Sequence, residues 1–287
     1  MIAGKRILGY ISKAQTEDIN PFYIYDIQAI RKRCADFTSI SYQNKSIHFA
    51  TMANINPEFL AVVKSSNLNV FVNSLKHLES VKEAGFKGSE IVFTSSAMSE
   101  KVMKIVCEEN VQVNLDSVGQ LELWQKLVPE KSVGIRCNIG ELVTPYSTRA
   151  GFFLGKESRL GLTVDEIKGI ANKQIIKGLH LYVGTDIFDI DYFIGCYKAL
   201  IELSYDFPNL EYLNFGGGFG VSEQGDEFFD IKNYGETVSA LMDEVSLKRG
   251  QSIQLILEPG RIIGGEAGYF VCQVTDVKAR KNQVFVG

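Results

Sequence analysis

Ile47-His48-Phe49-Ala50-Thr51-Met52-Ala53-Asn54-Ile55-Asn56-Pro57-Glu58-Phe59-Leu60-Ala61-Val62-Val63-Lys64 reads as one complete strand–loop–helix unit. A short apolar run ends at Met52, a polar loop follows, and Pro57 sits where a first helical turn tolerates proline. The same pattern recurs along the chain. Asn69-Val70-Phe71-Val72-Asn73, Ile91-Val92-Phe93-Thr94, Val111-Gln112-Val113-Asn114-Leu115-Asp116 and Val133-Gly134-Ile135-Arg136-Cys137 are followed by Leu179-His180-Leu181-Tyr182-Val183, Tyr212-Leu213-Asn214-Phe215 and Leu255-Ile256-Leu257-Glu258. Such near-continuous apolar runs suit parallel strands buried on both faces. Helical stretches separate them, including Lys76 to Glu83, Glu100 to Glu108 and one opened by Thr163-Val164-Asp165-Glu166, a cap with its glutamate three residues on. Strands ending at Met52, Ser74, Ser95, Ser117, Ile139, Gly184, Gly218 and Gly260 make eight repeats. The expected fold is therefore α/β, a (β/α)8 TIM barrel; a doubly wound sheet is the rival.

Outside those repeats the pattern changes. Phe22-Tyr23-Ile24-Tyr25-Asp26 is a strand before the first helix, and Gly268-Tyr269-Phe270-Val271-Cys272-Gln273-Val274 and Asn282-Gln283-Val284-Phe285-Val286-Gly287 read as strands after the last. The expected division is an N-terminal strand segment over 1–26, the barrel over 27–266, and the beginning of a truncated second β domain over 267–287.

The bulk numbers exclude several classes. The 287 residues are 45% hydrophobic and 22% charged, ordinary for a globular chain. A formal net charge of −4 offers no basic field for nucleic acid or an anionic membrane. No run reaches the ~18 apolar residues of a membrane span. Met1-Ile2-Ala3-Gly4-Lys5-Arg6 lacks a following apolar core, so no signal peptide is expected. The 5 cysteines are scattered without a C-x-x-C pair, and the 3 histidines, His48, His77 and His180, are dispersed, so no metal site is expected. Reduced thiols in a cytoplasmic protein follow.

In a barrel of this kind the site lies at the C-terminal strand ends. After the seventh strand comes Asn214-Phe215-Gly216-Gly217-Gly218-Phe219-Gly220-Val221. It is either a tight turn or a loop whose successive N–H groups cradle a phosphate. Val221 at the last glycine position removes the dinucleotide fingerprint. After the eighth strand comes Glu258-Pro259-Gly260-Arg261. A carboxylate there needs a partner, either a pyridinium N–H or a barrel arginine such as Arg136.

Together the glycine loop and the Glu-Pro-Gly-Arg run resemble the fold-type III decarboxylases that use pyridoxal phosphate, those of diaminopimelate, ornithine and arginine, whose barrel is of the alanine-racemase N-terminal type. Val113-Asn114-Leu115-Asp116-Ser117, Gly134-Ile135-Arg136-Cys137-Asn138 and Ser158-Arg159-Leu160-Gly161-Leu162 extend the likeness, and Gly178-Leu179-His180-Leu181-Tyr182-Val183-Gly184-Thr185-Asp186-Ile187-Phe188-Asp189 is most similar to diaminopimelate decarboxylase. The resemblance implies roles. Gly216, Gly217, Gly218 and Gly220 would hold the phosphate, joined by the Gly260-Arg261 backbone. Glu258 would face the ring nitrogen, Arg136 would project beside the cofactor, and Asn54 and Ser74 would line the pocket near the ring. Tyr182 stands where the family stacks a histidine on the ring. His180, two residues earlier, faces the same way along the strand, as a contributor or as a core histidine. Arg159 would suit a substrate carboxylate or a surface ion pair.

The run that opens the chain's first unit resembles the family's first strand, and Met52 occupies the place of the lysine that forms the Schiff base. A thioether cannot do this. Met98 also stands where the family has lysine, and Leu75-Lys76-His77-Leu78 replaces Gly-Gly-Glu-Leu. The implied function is an amino-acid decarboxylase impaired at Met52, with pyridoxal phosphate held non-covalently or as an external aldimine. The alternative is a pseudoenzyme that binds the cofactor or a protein partner; a racemase is a weaker third. The implied partners are a small amino-acid or amine substrate and a second copy in a homodimer, or a protein that supplies the missing β domain.

Overall fold

The computed structural model describes residues 5–17, 21–145, 153–222 and 228–287. A helix, α1 (Lys5–Thr16), and a strand, β1 (Phe22–Tyr25), come first. Then strands and helices alternate: α2 (Ile27–Thr38), β2 (Lys45–Ala50), α3 (Pro57–Ser65), β3 (Asn69–Val72), α4 (Leu75–Glu83), β4 (Ile91–Ser95), α5 (Glu100–Glu108), β5 (Gln112–Leu115), α6 (Val118–Leu127) and β6 (Val133–Asn138). A two-residue strand β7 (Leu162–Thr163) leads into α7 (Val164–Lys168). The second half continues with β8 (Ile176–His180), α8 (Ile190–Ser204), β9 (Tyr212–Asn214), α9 (Ile231–Arg249), β10 (Gln254–Leu257) and α10 (Arg261–Gly264). Three strands follow, β11 (Gly268–Val271), β12 (Val277–Arg280) and β13 (Gln283–Val286).

The parallel sheet runs β5-β4-β3-β2-β10-β9-β8-β6, and β5 also pairs with β6 through Asn114–Gly134 and Leu115–Ile135. That last pairing closes the sheet into the eight-stranded barrel, which a doubly wound sheet cannot do. Strand β1 pairs antiparallel with β11, and β12 pairs with β13, both outside the barrel.

Local signals account for many of the helix starts. Pro57 occupies the first turn of α3, with Asn56 accepting from the N–H groups of Glu58 and Phe59. Thr163 and Glu166 form a reciprocal capping box on α7. Several strands stop short of the ends expected from sequence. Ser74 and Ser117 are not strand residues; their hydroxyls accept from the N–H groups of His77 and Gln120 and cap α4 and α6. The later strands end at His180, Asn214 and Leu257, because beyond them the backbone bends to pair with neighbouring rims. Glu258 N–H, for instance, donates to the Gly216 carbonyl at 2.7 Å. Helix α1 was not expected, since no acidic residue in its first turn marks its start.

An aromatic cluster anchors the glycine loop. Phe215 stacks on Tyr197 at 3.9 Å and 5°, and Phe219 packs against Phe37, Phe193, Phe229 and Tyr234. The two phenylalanines bracket Gly216–Gly218, so the loop is pinned at both ends by rings whose burial is worth roughly 1.5–3 kcal/mol each.

The barrel interior is partly polar. Buried His48 receives Ser46 Oγ at Nε2 (2.7 Å) and reaches the Val70 carbonyl with Nδ1 at 3.3 Å. The Val70 carbonyl only accepts, so Nδ1 carries the proton, and the neutral ring takes the Ser46 hydroxyl proton at Nε2 while Asn69 Nδ2 donates to the Ser46 oxygen. Burial pushes its pKa down to about 4, against the opposing field of Glu258 and the Val70 carbonyl. Between 6.5 and 4 the unfolded chain binds a proton that the folded chain refuses, so stability rises with pH there. Denaturant unfolding across that window is expected to show roughly 3 kcal/mol lost on acidification, with a visibly flatter profile for His48→Gln. An unchanged profile for that variant would overturn the assignment.

Candidate functional site

A cavity of about 500 Å³ opens at the C-terminal ends of the strands. Its wall is assembled from separate units. Ala50 ends β2 and Met52 and Ala53 follow it, Asn73 follows β3, and Thr94 and Ser95 end β4 with Ser96 next. Arg136 comes from β6, Phe153 and Arg159 from the loop after it, and His180, Tyr182 and Thr185 from the end of β8. Gly217, Gly218 and Phe219 follow β9, and Glu258, Gly260 and Arg261 follow β10.

The deepest charged group is Glu258, 3% exposed. Its Oε1 accepts from Asn214 Nδ2 at 2.6 Å and its Oε2 meets His180 Nε2 at 3.2 Å. Burial pushes its pKa up. The charge and hydrogen bond of His180 and the Asn214 amide outweigh that, and hold the carboxyl below the ordinary carboxylate range. A carboxylate only accepts, so His180 Nε2 carries the proton in this pair. His180 Nδ1 is buried with no partner among the described residues, and its ring lies over Phe71 at 6.2 Å. Glu258 therefore pairs with His180 and Asn214, not with Arg136. Arg136 instead lies 3.5 Å from Asp116, whose Oδ1 also accepts from Gly161 N–H. Burial raises the Asp116 pKa against the opposing Arg136 charge.

Tyr182 forms a half-buried aromatic wall. Its hydroxyl and that of Thr185 are 2.8 Å apart, Phe153 meets it edge-on at 4.9 Å, and the Arg136 guanidinium lies 5.9 Å from its ring. Burial pushes the phenol pKa up, so it stays protonated at neutral pH. Met52, 45% exposed, lies in the turn after β2. That turn is clamped by Thr51, whose N–H and hydroxyl both donate to the Phe71 carbonyl and whose oxygen meets His77 Nδ1 at 2.8 Å.

The glycine loop provides a narrower anion cradle than four glycines suggest. Gly216 (φ +64°) donates its N–H to Asn214 Oδ1, and Gly220 donates to the Ile187 carbonyl. Gly217 and Gly218 find no acceptor among the described residues, and neither do the Gly260 and Arg261 N–H groups. A Cβ on Gly216 would lie 2.2 Å from the Leu181 carbonyl oxygen, and one on Gly217 2.2 Å from that of Glu258. These glycines are required by the close approach of rim backbones, whatever the cavity holds.

Two expected lining residues lie elsewhere. Asn54 donates to the Tyr25 hydroxyl at 3.1 Å, in a neighbouring cavity, and Ser74 caps α4 while Asn73 takes its place in the wall. Arg261 pairs with Asp186 at the rim. Arg159 Nη1 donates to Ser96 Oγ at 2.6 Å and faces no carboxylate within ion-pair distance among the described residues. Asn214 was missed from sequence; it lies two residues after Tyr212, whose hydroxyl donates to Asn114 across the barrel, so strand alternation pointed to it.

Fold and site together define a (β/α)8 barrel with an anion cradle and a buried carboxylate at one mouth. The chain belongs to the pyridoxal-dependent decarboxylases: residues 27–265 match the model of that family's pyridoxal binding domain. It is 28% identical over 277 residues to the diaminopimelate decarboxylase of Buchnera aphidicola subsp. Schizaphis graminum, covering 93% of this chain and 64% of the relative. It is 27% identical over 281 residues to an L-glutamyl-[BtrI acyl-carrier protein] decarboxylase of Niallia circulans, covering 93% and 65%. The crystal structure of Helicobacter pylori diaminopimelate decarboxylase with L-lysine superposes with a TM-score of 0.76 at 24% identity, over 93% of this chain and 69% of that one. The chain thus spans just under two thirds of the length of these curated relatives.

Pyridoxal phosphate, to which the family points, fits the residues present in one respect and not in another. Open N–H groups suit its phosphate, buried Glu258 suits its ring nitrogen, and Tyr182 offers a flat face. Among the described residues the cavity lining includes no lysine, so none of them offers an amine to its aldehyde. Lys45 bonds the Tyr42 carbonyl and Lys64 lies over Phe86.

Proposed function

We propose that this chain binds pyridoxal phosphate non-covalently and that its amino-acid decarboxylation, of the diaminopimelate and ornithine decarboxylase kind, is strongly impaired. The observation that carries this is a cavity with an anion cradle and a buried, charged Glu258 but with Met52 where the resemblance puts the lysine. When bound, pyridoxal phosphate supplies an electron-accepting ring that takes up the electron pair left by a departing carboxylate. The chain's own residues do the rest. Gly217 and Gly218 bind the phosphate. Glu258 holds a proton on the ring nitrogen, and His180 and Asn214 keep Glu258 ionised for that task. Tyr182 and Phe153 exclude water from one side. A small amino acid or amine is the substrate class.

A non-catalytic binder or regulator is the second reading. It is favoured by the second methionine at a family lysine position: Met98 is packed in the core, where an ammonium would be costly. We place β1 and β11 to β13 in a separate β unit, supported by their antiparallel pairing outside the barrel, and expect a homodimer.

The test is equilibrium dialysis of the chain with pyridoxal phosphate, then borohydride and intact-mass measurement. Retained cofactor, no added mass, and carbon dioxide release from L-amino acids near background are expected. Added mass on one residue, or turnover at an enzymic rate of ~1 s⁻¹ or more, would overturn the reading.

A further inference from the structure

Resting on that reading, we propose that the cavity prefers a phosphopyridoxyl–amino acid conjugate, one molecule carrying a phosphate, a pyridine and a free carboxylate, over free pyridoxal phosphate. The charges of the wall are almost all matched internally. Arg136 has Asp116 at 3.5 Å, Arg261 has Asp186, and Glu258 has His180 at 3.2 Å with Asn214 at 2.6 Å. Arg159 is the exception. Among the described residues its exposed guanidinium bonds a neutral hydroxyl, Ser96 Oγ at 2.6 Å, and has no carboxylate within ion-pair distance; Asp116, paired with Arg136, feels its charge only from farther off. A guanidinium has five donors in a fork that suits a carboxylate, so most of this one's capacity is left over.

The same cavity holds a second anion-seeking element, the Gly217 and Gly218 N–H groups. Two such elements in about 500 Å³, a volume typical of small-molecule sites, call for a ligand with two anionic ends. Free pyridoxal phosphate satisfies only one of them. Its aldehyde gains nothing further, because no lysine lines the wall among the described residues. A conjugate satisfies both and carries its own link between cofactor and amino acid. Met52 then offers a flexible, polarizable thioether to the amino-acid portion at the mouth.

The experiment is calorimetric titration of the 287-residue chain with four probes: pyridoxal phosphate, pyridoxamine phosphate, N-phosphopyridoxyl-L-alanine, and the methyl ester of that conjugate. The conjugate is expected to bind about tenfold or more tightly than the other three, the gain of one charge-assisted contact. In Arg159→Met the ratio of conjugate to ester affinity is expected to fall close to one. Equal affinity for the conjugate and pyridoxal phosphate would overturn the inference while leaving cofactor binding intact. A preference that survives esterification or Arg159→Met would also overturn it. Failure of every probe to bind would bring down the proposed function as well.

Discussion

Replacing Met52→Lys is expected to turn a chain that gains no covalent mass from pyridoxal phosphate and borohydride into one that carries one phosphopyridoxyl group per chain. Met52 is 45% exposed at the cavity mouth, so an ammonium there stays partly hydrated and the substitution carries no burial penalty for charge. Methionine and lysine are both unbranched and of similar length. The turn that holds the position is fixed by Thr51, Phe71 and His77 and owes nothing to the Met52 side chain. Stability should therefore change by no more than ~0.5 kcal/mol, as for surface substitutions generally. Intact-mass spectrometry reads the outcome directly, with peptide mapping to place the group and Met52→Gln as a control that fixes nothing. A folded Met52→Lys chain with no added mass would mean that the cradle and Glu258 do not hold the aldehyde within reach of position 52, and the proposed binding mode would be wrong.

The second large effect is expected at Glu258. Glu258→Ala removes the acceptor for both Asn214 Nδ2 and His180 Nε2 at a position only 3% exposed. Breaking a buried pair in this way costs about 3–5 kcal/mol, to be measured as a shift in denaturant midpoint at neutral pH. Glu258→Gln should cost less, because its amide oxygen still accepts from Asn214. Both variants should weaken retention of pyridoxal phosphate. The pH behaviour separates Glu258 from His48. The folded-state pKa of Glu258 lies below its ordinary 4.5, so its contribution is fully present above that value and is lost only as pH falls below it. The His48 contribution is lost earlier, from 6.5 downward. Wild type should thus lose stability in two stages on acidification, and Glu258→Gln should lose the later one. A Glu258→Ala chain as stable as wild type would show that the carboxylate is not buried and paired as described.

Much of the barrel was legible because its signals are local. Pro57, Asn56 and the Thr163–Glu166 box act within a few residues of themselves. The eight apolar runs are each short enough to recognise alone. The strand ends were less legible, and for one reason: a serine at a strand terminus reads like a strand residue until a helix begins beside it, as at Ser74 and Ser117. The glycine loop shows the same limit. Four glycines announced a close backbone approach but not what approaches. The structure shows rim carbonyls of Leu181, Glu258 and Gly184 against three of them and the Phe188 ring against Gly220, and of the four, Gly217 and Gly218 are the two whose N–H groups find no acceptor among the described residues.

By itself the sequence determined the strand–helix alternation, the family likeness, the glycine and Glu-Pro-Gly-Arg runs, and the methionine at position 52, because each is written in contiguous residues. Only the tertiary structure decided that the sheet closes through β5 and β6, that Glu258 turns to His180 and Asn214 and not to Arg136, and that Arg159 is left with a hydroxyl for a partner. Those outcomes depend on the register between strands far apart in the chain. A buried polar group takes whichever partner that register brings within about 3 Å.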